Sequence, residues 1–271
     1  MIQFRDIMQP VSEACEIISN TETSTDTWEM TVETKKIASE CKPGQFVHVR
    51  TGSGFNPFLR RPLSIGPCNG NRLRLIFIVR GEGTRLLAEM QAGEFVDLVG
   101  PLGNPYQLPD NDEVAILVGG GIGVVPLLIL SDYLSQEKEN HFLLGVRSHD
   151  LLPVLPDEIE LRGIEVASDD GSIGFKGLVT NLLESKLNDL RDRSVRIYGC
   201  GPEPMTRAIK EICMKRKVPA QVSLEVPMGC GVGACQSCAV LREDGVGYLL
   251  VCKDGPVFDI NDVDLTPGGS S

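Results

Sequence analysis

Apolar and polar positions alternate in four stretches of the first part of the chain: WEMTVET (28–34), GQFVHVR (44–50), NRLRLIFIVRG (71–81) and EFVDLVGP (94–101). A period of two marks strands, and the Gly, Pro and Asn clusters between the stretches mark turns. Residues 1–108 are therefore expected to form an antiparallel barrel or sandwich. From 109 the pattern changes to short apolar runs followed by helix-period segments. EVAILV leads to VVPLLILSDYL, then come HFLLGVR, IEVAS, GLVTNLLESKL, SVRIYG and PEPMTRAIKEICMKR. That alternation predicts, over 109–220, a parallel sheet covered by helices on both faces. From Gln221 the rhythm is lost and Gly and Cys dominate, so residues 221–271 are expected to be organised by a bound group rather than by a large core. No internal repeat is evident, and the PGGSS ending reads as a flexible tail without function.

Composition narrows the function. With 271 residues and 42% hydrophobic content the chain can bury cores for two or three small domains. The 26 basic and 37 acidic residues give a net charge of -11, which disfavours nucleic-acid binding. Arg5 and Asp6 interrupt the start where a secretory leader would be apolar, and no apolar run reaches the ~20 residues of a membrane span. A cytoplasmic location without membrane contact is expected. Nine cysteines in such a reducing compartment do not suggest a disulfide framework, and four of them crowd between positions 230 and 252.

The segment AILVGGGIGVVPLL sets a strand against a helix through Gly119, Gly120, Gly121 and Gly123. Glycines there let backbone amides at a helix start face a pyrophosphate. Pro126 suits the first helical turn, where no N–H is needed. On this segment alone a tight turn of any α/β domain remains an alternative. A second such turn, YGCGPEPM (198–205), brings Cys200 and Gly201 to the same expected edge of the sheet, where Cys200 is placed beside a nicotinamide or is simply a small buried residue. Asp169 and Asp170 follow the strand IEVAS. Carboxylates near an adenosine ribose accept bonds from a free 2'-hydroxyl and repel a 2'-phosphate, so NAD is expected in preference to NADP. D-D-G is also ordinary turn chemistry, and Arg147 after another strand would instead welcome a phosphate.

The most specific motif is CGVGACQSC, which with Cys252 gives C-x4-C-x2-C-x13-C through Cys230, Cys235, Cys238 and Cys252. Up to the third cysteine this is the plant-type spacing of a 2Fe-2S cluster. Gly231, Gly233 and Ala234 let the loop wrap closely. Zinc is the main alternative, but structural zinc usually pairs short C-x2-C knuckles. The fold class expected is thus an N-terminal antiparallel β-barrel, a central parallel-sheet nucleotide-binding domain and a small C-terminal 2Fe-2S cluster domain.

Taken in order, R-P-L-S in FLRRPLSIGP, GEGT in RGEGTRLLAEM, GGGIGVVP and CGPEPM resemble the ferredoxin reductase-like flavoprotein family over about the first 220 residues. The resemblance implies an FAD-binding barrel followed by an NAD(P)-binding domain. It assigns Arg61 to the FAD phosphates, Ser64 to the flavin N5 region and Gly83 and Thr84 to a pyrophosphate-binding helix start. Pro62, Leu63, Ile78, Val79 and Arg80 complete the implied flavin site. Leu63 stands where the family commonly has tyrosine, so that ring's role is not carried over. With the cysteine loop, SLEVPMGCGVGACQSCAV followed by VCKDGPVF, nearly the whole chain resembles the electron-transfer subunits of type B dihydroorotate dehydrogenase. This implies a hetero-oligomer in which a partner subunit carries FMN and the pyrimidine site.

Hydride transfer between nicotinamide and flavin needs parallel rings and no dedicated acid or base, so no catalytic side chain is expected. The alternatives are a nicotinamide-linked ferredoxin reductase subunit of an electron-bifurcating enzyme, where the first cysteine is often aspartate, a reductase component serving a diffusing protein, and a non-enzymatic redox sensor.

Overall fold

The computed structural model describes residues 10–52, 54, 56–110, 112–135, 138–152 and 163–266. The PGGSS ending and the Arg5–Asp6 stretch lie outside the described residues. Seven strands make the first sheet: β1 (Val11–Ser24), β2 (Thr27–Glu33), β3 (Phe46–Val49), β4 (Arg61–Ser64), β5 (Cys68–Asn69), β6 (Arg72–Ile78) and β7 (Phe95–Leu102). A one-turn helix α1 (Ile37–Glu40) follows β2, and α2 (Glu82–Glu89) follows β6. Their order is β4-β3-β7-β1-β2-β6-β5, with every pairing antiparallel. β4 also lies against β6, so the sheet curls on itself. Alternate residues such as Met30 and Val32, or Leu73 and Leu75, fill the enclosed core, as the period of two requires.

The second sheet is built from β8 (Glu113–Gly120), α3 (Val125–Ser135), β9 (Asn140–Val146), β10 (Ile164–Ser168), β11 (Phe175–Lys176), α4 (Val179–Asp189), β12 (Ser194–Cys200), α5 (Glu203–Arg216) and β13 (Ala220–Ser223). β8 shows why its sequence is an unbroken apolar run. Val114, Ile116 and Val118 pack towards Leu183 and Ile209 of α4 and α5, while Ala115 and Leu117 pack towards Leu127 and Leu128 of α3. A strand covered on both faces has no polar face to alternate. The sheet order β11-β10-β9-β8-β12-β13-β16 runs parallel until β16 (Val257–Asp259), which pairs antiparallel with β13. Strands that precede β8 in this order follow it in sequence as β9 and β10, whereas β12 lies on its other side. The order therefore reverses between β8 and β12, and a crevice opens there at the strands' carboxyl ends.

Between β13 and β16 the chain makes the cysteine-rich excursion, which contains only the hairpin β14 (Ala239–Leu241) and β15 (Tyr248–Leu250). α5 fastens this excursion: the buried Lys210 Nζ donates to Glu243 Oε2 at 2.5 Å and to the Val263 carbonyl at 2.7 Å. No described helix is long and apolar enough to cross a membrane.

The barrel meets the excursion at Gly103 and Asn104. The Asn104 amide donates to the Gly255 carbonyl at 2.6 Å, and its side chain donates to the Asp254 carbonyl at 2.7 Å. Gly103 has φ +77°, and a Cβ there would stand 2.3 Å from Pro256 Cδ and 2.8 Å from the Gly255 carbonyl oxygen. Gly103→Ala is therefore expected to destabilise the protein by about 2–4 kcal/mol, from left-handed strain together with overpacking. The midpoint of urea unfolding measures this. An unchanged midpoint would show that the seam yields freely.

Candidate functional site

On the barrel, β4 carries Arg61, Pro62, Leu63 and Ser64, all half-buried. Ile78 ends β6, and Val79 and Arg80 lead into α2, whose first turn holds Gly83 and Thr84. The two adjacent arginines do different things. Arg60 forms an ion pair with Asp97 at 2.6 Å and donates to the backbone carbonyls of Asp97 and His48, so it braces β3 and β7. Arg61 donates to the Leu59 carbonyl at 2.7 Å, and its guanidinium lies over the start of α2. A Cβ on Gly83 would come within 2.7 Å of Arg61 Nε and 3.0 Å of Cζ.

The Thr84 hydroxyl accepts the amides of Arg80 and Gly81 at 3.0 and 3.3 Å, and donates to the Gly81 carbonyl. Thr84 thus shapes the turn, and the first amides of α2 remain directed out of the helix. A full positive charge beside a helix N-terminus is the donor set a pyrophosphate requires. The residues present fit the diphosphate of FAD.

On the second sheet, both glycine turns sit at the crevice between β8 and β12. Gly119 is the register partner of Cys200. The structure gives these glycines a further reason. A Cβ on Gly120 would meet Pro202 Cδ at 2.7 Å and Met205 Sδ at 2.8 Å, and one on Gly123 would meet the Cys200 carbonyl at 2.4 Å. Gly201 in turn faces Met205 at 2.5 Å and the Gly120 Cα at 3.0 Å. These glycines let the two turns press against each other. Gly121 is the exception, because nothing lies within 4 Å of where its Cβ would be. Its turn faces open space at the start of α3. Cys200 is buried, and its thiol is pushed up to about 12 by desolvation and by the charge of Glu225, so it is neutral. Asp170 is exposed in the turn after β10. Its Oδ1 accepts from the Ser172 amide at 2.9 Å and hydroxyl at 2.6 Å, which holds the carboxyl below its ordinary range. Its own amide donates to the Arg147 carbonyl at 3.3 Å, so the two candidate nucleotide-selecting residues occupy neighbouring loops.

The four candidate cysteines converge as two pairs. Cys238 and Cys252 bring their sulfurs to 3.2 Å, both buried. Cys230 and Cys235 each accept the other's backbone amide at 3.3 Å, with Cys235 exposed. Further amides converge on the sulfurs: Val232 and Ala234 on Cys230 at 3.4 and 3.2 Å, and Gly233 on Cys252 at 3.1 Å. N–H donors stabilise thiolates over thiols. The Cys235 thiol is accordingly lowered to about 6 by the Ser237 hydroxyl and by the amides of Ser237 and Cys230. Cys252 is pushed up to about 12 by burial and by the neighbouring Cys238 thiol. A buried sulfur that resists ionisation alone needs a cation to hold it as thiolate. Among the described residues no three His, Cys, Asp or Glu side chains ring a single metal position. Two pairs of sulfurs with amide donors fit the two irons of a 2Fe-2S cluster.

Sequence reasoning missed His48. It lies on β3 as the register partner of Pro62, and is 2% exposed. Gly231, with φ +72°, presses against its ring, since a Cβ there would lie 2.7 Å from His48 Nδ1. Burial and the charges of Arg60 and Arg61 push the imidazole down to about 4, so it is neutral. Nε2 is buried without a hydrogen-bond partner among the described residues, as is the hydroxyl of Thr51 just beyond the strand. Orphaned polar atoms at such a place are satisfied by a bound group or by ordered water. A lone histidine in GQFVHVR carries no spacing signal, so only the fold reveals its position.

Comparison with known proteins agrees with this geometry. The iron-sulfur cluster binding domain of dihydroorotate dehydrogenase B matches residues 225–264. The electron transfer subunit of dihydroorotate dehydrogenase B (NAD(+)) from Caldanaerobacter subterraneus subsp. tengcongensis is 38% identical over 89% of this chain and 94% of its own length. The corresponding subunit from Bacillus mycoides is 38% identical over 92% of this chain and 97% of its own length. Among solved structures, an NADH-dependent reduced ferredoxin-NADP oxidoreductase has a TM-score of 0.81 at 30% identity, over 93% of this chain and 90% of that one. A ferredoxin NADP+ reductase from Neisseria gonorrhoeae, with bound FAD and NADP, shares the fold at a TM-score of 0.62 and 15% identity, over 76% of this chain and 91% of that one. By its near-complete match to the two bacterial subunits, the chain belongs to the family of electron transfer subunits of NAD(+)-linked dihydroorotate dehydrogenase B.

Proposed function

We propose that this protein is an oxidoreductase subunit that carries FAD and a 2Fe-2S cluster, uses NAD(H), and exchanges electrons with an FMN-containing dihydroorotate dehydrogenase catalytic subunit in a hetero-oligomer. The observation that carries this reading is the contact between Gly231 and His48. It seats the cysteine loop on the strand that pairs with R-P-L-S, so the cluster loop and the flavin strand are neighbours. Cytoplasmic location belongs to the same proposal, since free thiols and thiolate ligands suit a reducing compartment.

A flavin exchanges hydride with nicotinamide and single electrons with an iron-sulfur cluster, which matches a two-electron donor to a one-electron carrier. The chain's own residues bind and position. Arg61 and the first amides of α2, at Gly83 and Thr84, hold the FAD diphosphate. Pro62, Leu63, Ser64, Ile78, Val79 and Arg80 line the flavin. The turn Gly119, Gly120, Gly121 and Gly123 takes the nucleotide at the crevice, with Cys200 and Gly201 forming its opposite wall. Asp170 faces the adenosine ribose. Cys230, Cys235, Cys238 and Cys252 ligate the cluster. A nicotinamide-linked ferredoxin oxidoreductase subunit is the second reading, favoured by the 0.81 TM-score. A stably copurifying FMN subunit distinguishes the first from the second.

Replacing Arg61 by Met removes the cation over α2 while keeping its length, and a charge-assisted contact of this kind is worth about tenfold to hundredfold in affinity. Flavin content after gel filtration is expected to fall while iron content stays constant. Full flavin retention would show that Arg61 does not hold the phosphates.

Cys252→Ser removes one of four thiolates and is expected to abolish the cluster's absorbance and iron content. NADH-dependent reduction of a dye that takes electrons directly from flavin stays near the wild-type rate, and delivery to the partner subunit falls more than tenfold. A variant that retains FAD, lacks iron and still supplies the partner at full rate would make the cluster structural.

For the nucleotide, kcat/KM with NADH is expected to exceed that with NADPH by about tenfold or more, and Asp170→Ser to narrow the ratio. Equal values for both nucleotides in the unaltered protein would place Asp170 away from the ribose.

A further inference from the structure

Nine cysteines divide into three groups by surroundings. Four are the proposed cluster ligands, Cys230, Cys235, Cys238 and Cys252. Cys15, Cys200 and Cys213 are buried, and desolvation pushes each thiol up to about 12, which makes them unreactive. Cys41 and Cys68 remain. They are separated by 27 positions, yet their sulfurs lie 3.4 Å apart. Cys41 caps the end of α1 and is half-buried, whereas Cys68 lies exposed on the two-residue edge strand β5. Cys41 packs against the barrel core, but an exposed cysteine on an edge strand fills none, so packing does not account for Cys68.

We propose that Cys41 and Cys68 form a reversible disulfide, a thiol-modification site on the flavin barrel that is separate from the cluster and goes beyond the function proposed above. The oxidant is a low-molecular-weight disulfide such as oxidised glutathione. The Cys41 thiolate attacks one of its sulfurs, the S–S bond breaks, and one thiolate leaves. Cys68 then gives its proton to solvent and attacks the Cys41 sulfur, expelling the second thiolate. Two protein thiols are oxidised and one external disulfide is reduced to two thiols. The contact between the two sulfurs lets one thiol hydrogen-bond to the other and so favours a single thiolate in the pair, and the sequence balances equally with the roles of Cys41 and Cys68 exchanged. Closing from 3.4 Å to a bond of about 2.05 Å is a small movement for two surface segments that already touch.

The bridge would tie down a segment that holds Gly103 and Tyr106, where the chain leaves the barrel. Gln45 accepts the Ile65 amide through its carbonyl at 3.2 Å and donates to the Gly103 carbonyl at 2.8 Å, and the Pro43 carbonyl accepts the Tyr106 amide at 2.9 Å. Oxidation is therefore expected to raise the thermal unfolding midpoint by several degrees, by constraining the unfolded chain.

The test treats anaerobically purified holoprotein with oxidised glutathione, alkylates free thiols and maps tryptic peptides by mass. Expected is a dithiothreitol-reversible link between peptides 37–50 and 61–72, with flavin and cluster absorbance retained and the midpoint raised. In Cys68→Ser the reaction stops at a stable glutathione adduct on Cys41, and in Cys41→Ser it stops at one on Cys68. A persistent glutathione adduct on either cysteine of the unaltered protein would overturn the proposal. So would free alkylation of both after the same treatment.

Discussion

Four thiolates have to be held within bonding reach of one small group, and like charges at that spacing repel strongly wherever water is excluded. The loop from Cys230 to Cys238 has little apolar interior to offset that repulsion. Backbone amides do so instead: Val232, Ala234, Cys235 and Gly233 point N–H groups at the sulfurs. A loop wound tightly enough to aim its amides inward cannot also stabilise itself by packing. It therefore leans on its neighbours, through Gly231 on His48, Gly255 and Pro256 on Gly103, and Glu243 on Lys210. The barrel and the nucleotide sheet each supply part of that support.

The same economy of backbone contact explains the glycine turns. Gly120, Gly123 and Gly201 are fixed by contact between the two turns, so the motif first builds the crevice and only Gly121 looks into open space. Replacing one of the packed glycines would move the opposing turn as well. Tyr106 and Tyr198, stacked edge to face at 5.6 Å, fasten the barrel's exit segment beneath that crevice, with the Tyr198 hydroxyl donating to the Gln107 carbonyl.

What could be read from the chain alone was what is local. The cysteine spacing, the strand-turn-helix units and the four alternating strands are each encoded within about two dozen residues, and all are present in the fold. β1 was not recognised, although it is the longest strand, because VSEACEIISNTETS is rich in Glu, Ser, Thr and Asn. Only Cys15 and Ile17 of its residues are fully buried, and irregular register after Ile17 breaks the alternation. β13 and β16 were hidden for another reason. Each is short, and they pair across the whole cysteine excursion, a relation no local window contains. His48 and the distinction between Arg60 and Arg61 belong to the same class, since Asp97 claims one arginine and the start of α2 the other.

The excursion leaves the sheet at β13 and returns at β16, its neighbour on the same edge. Its two ends come together only when β16 pairs with β13, which is itself paired with β12. Non-local closure of this kind forms late, after the local units have collapsed. A loop closed by so distant a pairing is thus expected to be the last part of the scaffold to be fixed.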